Sequence, residues 1–334
     1  MKNYLDIRHS INEEKLKEIS LELKSGKTVL FPTETVYGIG TNGLDPDAVK
    51  KLYEIKGRNF SNPINLLVDG IKMVDSIAKD INDVEYKLME AFFPGPFTII
   101  LKKQSIVPNI LTAGLDTIGV RMPDSEITQK LLSYAKVPIA APSANISGKP
   151  SGTKLEDILE DFSDKVDFII NGGMTNLGIE STIVKVIDDI PHILRPGSIT
   201  PEQIKQISGN VIIEKAQLPS SNLKHYQLNV KSILVYSNDT QKMINEIISI
   251  SKKYKNVVIL SFSENVNDYK NNKVIDIGSK SNLTEVSKKI FTNLHKAEKS
   301  NPEIILIEGT ENKNLGFALM DRLLNACNHN YIEV

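Results

Sequence analysis

The chain has 334 residues, 40% of them hydrophobic and 24% charged, with 40 Lys and Arg against 41 Asp and Glu, which predicts a globular protein of two domains and excludes a broadly basic nucleic-acid-binding body. One cysteine, Cys327, excludes a disulfide framework and a thiolate metal site, and the 5 histidines are scattered without ligand spacing. No run of about 18 apolar residues suits a membrane span and no signal-peptide core follows Met1, so the expected setting is a reducing cytosol.

Asn12 is placed to cap a helix reaching Lys24, with Leu16, Ile19 and Leu23 on one face and Gly26 at its end. Thr28 to Phe31 reads as a buried strand running into Pro32-Thr-Glu-Thr-Val-Tyr-Gly38. Two threonines, a glutamate and a tyrosine there are costly in a core and useful at the mouth of a site, because ligands of open α/β sheets sit beyond the carboxyl ends of strands. Gly38-Ile-Gly40-Thr-Asn-Gly43 spells the dinucleotide fingerprint, yet the next helix starts only at Asp45-Pro46. A pyrophosphate would miss that helix N-terminus, so these glycines are expected in turns.

The helix from Pro46 carries Val49, Leu52 and Tyr53 inward and ends at Lys56-Gly57-Arg58. Two cations there complement the helix dipole or, with the polar loop Asn59 to Pro63, form a phosphate-binding pair. A strand over Ile64–Val68 follows, then helices around Met73–Ala78 and Val84–Phe93 that stop at Pro94-Gly-Pro96, before a strand over Phe97–Lys102. In the strand from Thr117 to Pro123, Arg121 lies opposite Ile118 and Val120. An arginine inside an apolar strand must find an anion or lie at an edge, and a structural salt bridge or a substrate carboxylate would serve equally.

A helix over Ser125–Ala135 leads to the apolar run Val137–Ala141, which stops at Pro142 and opens into a loop bearing Ser143, Asn145, Ser147, Lys149, Ser151 and Thr153. Further on come a strand over Asp167–Asn171, the segment Gly178–Thr182, and a hairpin of Ile183–Ile187 with His192–Arg195 across a turn at Asp188–Pro191. Thr200-Pro201-Glu202 caps a last short helix of this part. Patterning fails from Glu214 to Val230, and beyond it strands at Ser232–Tyr236, Val257–Leu260, Val274–Ile277 and Ile304–Glu308 alternate with helices, as in a small parallel α/β domain. The expected division is 1–208, a linker over 209–230, and 231–334.

Gly148-Lys149 is followed by Pro150, so the chain has no Walker loop, and no G-x-S-x-G elbow is present. What remains is a set of cations (Lys56, Arg58, Arg121, Arg195) with hydroxyls (Thr33, Thr35, Thr117, Ser143, Ser151, Ser181) and the amides Asn62 and Asn145. Such a set suits a polyanion and offers little nucleophilic or general-base power. It matches phosphoryl or nucleotidyl transfer in which the substrate brings its own nucleophile.

Phe31–Gly38, Lys56-Gly-Arg58 with Asn62-Pro63, Pro94-Gly-Pro96, Val120–Pro123, Ala141–Gly148, Glu180-Ser-Thr182 and Leu194-Arg-Pro-Gly197 follow one another in that order. In this the chain resembles the threonylcarbamoyl-AMP synthase family in its long two-domain form. The resemblance implies an α/β fold: an N-terminal YrdC-like twisted open mixed sheet with flanking helices, plus a small C-terminal Rossmann-like parallel domain. It also implies that L-threonine, bicarbonate or CO2, and ATP with Mg²⁺ on its triphosphate give L-threonylcarbamoyl-AMP and pyrophosphate. The product would pass to a threonylcarbamoyl transferase complex that modifies tRNA beside the anticodon.

By motif match, Arg58, Asn62, Thr117, Ser143, Ser151, Arg195 and Tyr226 would hold ATP, while Thr35, Arg121, Ala141 and Ser181 would hold threonine. Lys56, Arg58, Ser143 and Asn145 would form the catalytic set. From the residues alone the linker reads as an ordinary tether; the resemblance implies that it folds over the mouth of the site with Tyr226 reaching the nucleotide, although after Lys224-His225-Tyr226 the residues Gln227-Leu228 depart from the family pattern. The alternative is an RNA-binding module of the same fold without turnover. It is disfavoured by near-zero net charge and by having only Tyr37 as an aromatic among the motif residues past strand ends.

Overall fold

The computed structural model describes residues 3–214 and 227–334. Lys224, His225 and Tyr226 of the linker lie outside the described residues. Among the described residues the first sheet is mixed and has 12 strands. Across it run Tyr4–Asp6, Phe168–Asn171, Val29–Pro32, Tyr37–Asn42, Ile139–Ala140, Leu66–Leu67, Thr117–Arg121, Phe97–Lys103, Thr182–Ile187, Ile190–Arg195 and Ile212–Ile213, with Ala78–Lys79 beside Phe97–Lys103.

Local chemistry explains the helices that flank it. Asn12 accepts from Lys15 N and starts the helix Glu13–Lys24, whose Leu16, Ile19 and Leu23 are fully buried against the helix Glu126–Ala135. Asp45 caps Pro46–Lys56 by accepting from Asp47 N and Ala48 N, and Gly57 closes that helix in the left-handed region at φ 59°. Thr200 and Gln203 form a capping box on Pro201–Ser208. The hairpin turn is tighter than expected: Asp188 and Asp189 alone make it, at φ 50° and 60°.

One expectation is corrected. Gly38 and Gly40 lie not in turns but in the strand Tyr37–Asn42, paired antiparallel with Val29–Pro32; only Gly43 falls in a turn. A Cβ on Gly40 would come 2.6 Å from Ile139 Cγ2 and 2.8 Å from Phe31 Cε1, so close packing, not a turn, excludes a side chain there. Three edge strands, Tyr4–Asp6, Ile212–Ile213 and Tyr331–Glu333, were not expected.

The second sheet is wholly parallel, in the order Lys273–Asp276, Val257–Ser261, Ile304–Glu308, Ser232–Tyr236, Tyr331–Glu333. Helices Thr240–Ser251, Leu283–Lys299 and Leu315–Ala326 accompany it. Its core takes in two residues from the first part of the chain, Val36 and Ile179, beside Val286, Ile290 and Leu323. The loop after Val29–Pro32 and the segment before Thr182–Ile187 are therefore packed against this C-terminal unit. Gly40→Ala is expected to lower the unfolding free energy by about 1–3 kcal/mol, measured by denaturant titration; unchanged stability would contradict the packing.

Candidate active site

The loop after Ile139–Ala140 is tied to its neighbours along its length. Ile39 N donates to Pro142 O at 3.1 Å, Ala144 N to Tyr37 O at 2.7 Å, and Tyr37 N to Gly152 O at 2.9 Å. The side chain of Lys56 reaches in from the end of its helix and donates to Ser143 O and, at 2.8 Å, to Asn145 O. Ser143 Oγ donates to Asn145 Oδ1 at 2.5 Å. Burial, with the Arg58 guanidinium nearby, pushes the Lys56 ammonium well below the ordinary lysine value of 10.5.

This loop borders a cavity of about 440 Å³. Lys56, Arg58, Asn62, Thr117, Arg121, Ala141, Ser143, Asn145, Ser181 and Arg195 all line it, so most of the residues singled out in the sequence come together. Arg58 turns back on its own loop, with Nε donating to Asn62 O at 3.0 Å and Nη2 to Pro63 O at 2.8 Å. Arg195 Nη2 donates to Ser181 O at 2.8 Å and to Ser181 Oγ at 3.1 Å. Asn62 Nδ2 and Arg121 Nε are buried donors with no hydrogen-bond partner among the described residues. Unmet donors on a wall lined by cations suit an anionic ligand rich in acceptors.

Arg121 resolves its two alternatives partly in favour of structure. Its Nη2 lies 2.7 Å from Glu34 Oε1, an ion contact without hydrogen-bond geometry, and donates to Thr35 Oγ1 at 3.0 Å. Thr35 does not line the cavity and touches it through Arg121. Thr33, bonded to Thr35 at 2.9 Å, belongs instead to a second surface cavity.

Ser151 also stands behind the wall. It is fully buried, and its Oγ donates to Glu180 Oε1 at 2.6 Å. Glu180 does line the cavity, and its other oxygen accepts from Arg322 Nε at 2.8 Å. Burial acts to raise the Glu180 carboxyl, but Arg322, Arg195 and the Ser151 hydroxyl outweigh it and hold the group below the ordinary carboxylate value of 4.5. Glu34, Glu180 and Arg322 were given no role from the sequence. The available signals were a carboxylate between two threonines after a buried strand, and an arginine on the apolar stripe of the last long helix.

A family profile described as telomere recombination matches residues 22–197, and one described as threonylcarbamoyl-AMP synthase, C-terminal domain, matches residues 199–327. A threonylcarbamoyl-AMP synthase from Pyrococcus abyssi is 36% identical, with 99% of each chain covered. The chain belongs to the threonylcarbamoyl-AMP synthase family. The Bacillus subtilis threonylcarbamoyl-AMP synthase is 33% identical over 95% of this chain and 94% of that one. The solved structure of P. abyssi Sua5 complexed with L-threonine superposes with a TM-score of 0.91 at 37% identity, covering 99% of each chain.

The charge on Lys56 bears on any polyanion held here. Tripolyphosphate affinity, corrected for the ligand's own ionisation, should fall as pH rises through a range well below 10.5, because the ammonium proton is lost early. Isothermal titration against pH measures this, and flat affinity up to the ordinary lysine value would contradict it.

Proposed function

We propose that the chain condenses L-threonine with bicarbonate or CO2 and joins the product to the adenylyl part of ATP. The threonine nitrogen adds to CO2, opening one C=O bond and giving up a proton, or to bicarbonate with loss of water, and the product is N-carboxythreonine. A carbamate oxygen then attacks the α-phosphorus, and pyrophosphate leaves with the bridging oxygen. One observation carries this reading: Arg58, Ser143 and Arg195 border the same cavity as Arg121, so a triphosphate and a carboxylate have cations within one enclosure. The names of the full-length relatives favour turnover over RNA binding alone.

In this reading Arg58, Asn62, Thr117, Ser143 and Arg195 take the nucleotide, Ser151 acts by fixing Glu180, and Tyr226 would close on it. Arg121 receives the threonine carboxylate, with Thr35 holding the guanidinium in place and Ala141 and Ser181 bordering the amino acid. Lys56 and Asn145 set the shape of the Ser143 loop. The carbamate is itself the nucleophile, so positioning and charge stabilisation are what the side chains must supply. Mg²⁺ would arrive with the triphosphate, held by phosphate oxygens and water; among the described residues no group of three His, Cys, Asp or Glu is placed to hold an ion.

The product is a reactive mixed anhydride, which calls for a waiting acceptor, read here as the threonylcarbamoyl transferase complex and, through it, tRNA. Among the described residues no helix is long and apolar enough to cross a membrane. A cytosolic setting is proposed for this tRNA-directed chemistry, and the buried free thiol of Cys327 is compatible with it.

The test is pyrophosphate release from ATP with threonine and bicarbonate each omitted in turn; release independent of threonine would overturn the reading. Arg121→Ala should raise the threonine KM by roughly 30- to 150-fold, the size of a charged contact worth about 2–3 kcal/mol, and leave the ATP KM within about threefold. Arg121→Lys, which keeps Glu34 paired, should recover part of the loss. Unchanged threonine KM in both variants would remove Arg121 from the role.

A further inference from the structure

We infer that Arg322, on the last long helix of the C-terminal unit, is a positioning residue for the nucleotide half of the site. This rests on the reading that Arg195 meets the triphosphate. The Arg322 side chain is fully buried, and its three nitrogens are directed at different partners. Nε donates to Glu180 Oε2 at 2.8 Å, Nη2 to Pro196 O at 3.0 Å, and Nη1 to Asp321 on its own helix. One planar guanidinium therefore spans the two segments Glu180-Ser181 and Arg195-Pro196. A lysine has a single charged centre and lacks that fork.

Those segments contribute to the cavity wall. Glu180, Ser181 and Arg195 all line it, and Arg195 donates to both the carbonyl and the hydroxyl of Ser181. The two segments also touch at the backbone: a Cβ on Gly197 would come 2.3 Å from Thr182 N and 2.6 Å from Glu180 O. Neither can shift without the other. The C-terminal unit presses on the same region elsewhere, since a Cβ on Gly178 would come 2.2 Å from Ser287 O, and Thr153 and Thr292 share a hydroxyl contact of 3.1 Å. Arg322 thus joins the helix Leu315–Ala326 to the wall itself, whereas a docking contact would end at the outer surface.

Removing the guanidinium would leave the buried Glu180 carboxylate with Arg195 as its other cation, while Ser151 remains its hydrogen-bond donor. The carboxylate would then draw Arg195 toward itself and weaken the cation intended for phosphate. This differs from simple loss of stability, because relieving the charge on Glu180 should restore nucleotide binding even though it adds no new packing.

Steady-state pyrophosphate release by the full chain, with circular dichroism and thermal melting as folding controls, tests this in R322M, R322K, E180Q and R322M/E180Q. R322M should raise the ATP KM by about tenfold or more, as a displaced positioning contact does, with the threonine KM changed by less than about threefold. R322K should fall between R322M and the unmodified chain, and R322M/E180Q should have a lower ATP KM than R322M. A melting temperature lowered with ATP KM unchanged, equal rises in both KM values, or no recovery in the double variant would each overturn the inference. If R322M does not fold, R322K carries the same comparison. No threonine-dependent release by the unmodified chain would overturn the proposed function and this inference with it, whereas normal turnover with unaltered ATP KM in R322M and R322K overturns the inference alone.

Discussion

Lys56, Arg58 and Arg195 each donate hydrogen bonds to main-chain carbonyl oxygens, of Ser143 and Asn145, of Asn62 and Pro63, and of Ser181. A carbonyl acceptor fixes the direction of the group that donates to it. The same bonds hold the loops that carry Ser143 and Asn62, so loop shape and field at the cavity come from one set of contacts. Donors already ordered before the ligand arrives need little rearrangement when it does.

Carboxylates enter as partners of these side chains, Glu180 from the cavity wall itself. Glu34 accompanies Arg121, and Glu180 is held between Ser151 and Arg322. Burying such charges is costly unless they are paired, and both pairs span parts of the chain far apart in sequence. In the proposed chemistry this division is economical: the outer shell fixes the wall, the inner cations receive the phosphates and carboxylate, and the attacking oxygen belongs to the substrate.

Much of this was readable from local chemistry. Asn12, Asp45 and Thr200 are cap residues whose side chains bond nearby amides, and the helices start where they stand. The cations Lys56, Arg58, Arg121 and Arg195 and the hydroxyls of Thr117, Ser143 and Ser181 also converge on one cavity, as the strand-end rule for open sheets implies, whereas Thr33, Thr35 and Ser151 do not line it. The misplaced glycines show where local reading stops. Gly40 is small because Ile139 and Phe31 close over it, and Ile139 lies far along the chain. Short edge strands such as Tyr4–Asp6 and Ile212–Ile213 carry too few residues for a period to emerge. Arg322 meets Glu180 only after both units have packed together, and no spacing rule reaches across that distance.

The most direct measurement is a crystal structure of the chain with L-threonine and a non-hydrolysable ATP analogue. The account predicts the triphosphate within hydrogen-bonding reach of Arg58, Ser143 and Arg195, and the amino-acid carboxylate on Arg121 beside it. A nucleotide bound outside this cavity, or those side chains directed away from the phosphates, would contradict it.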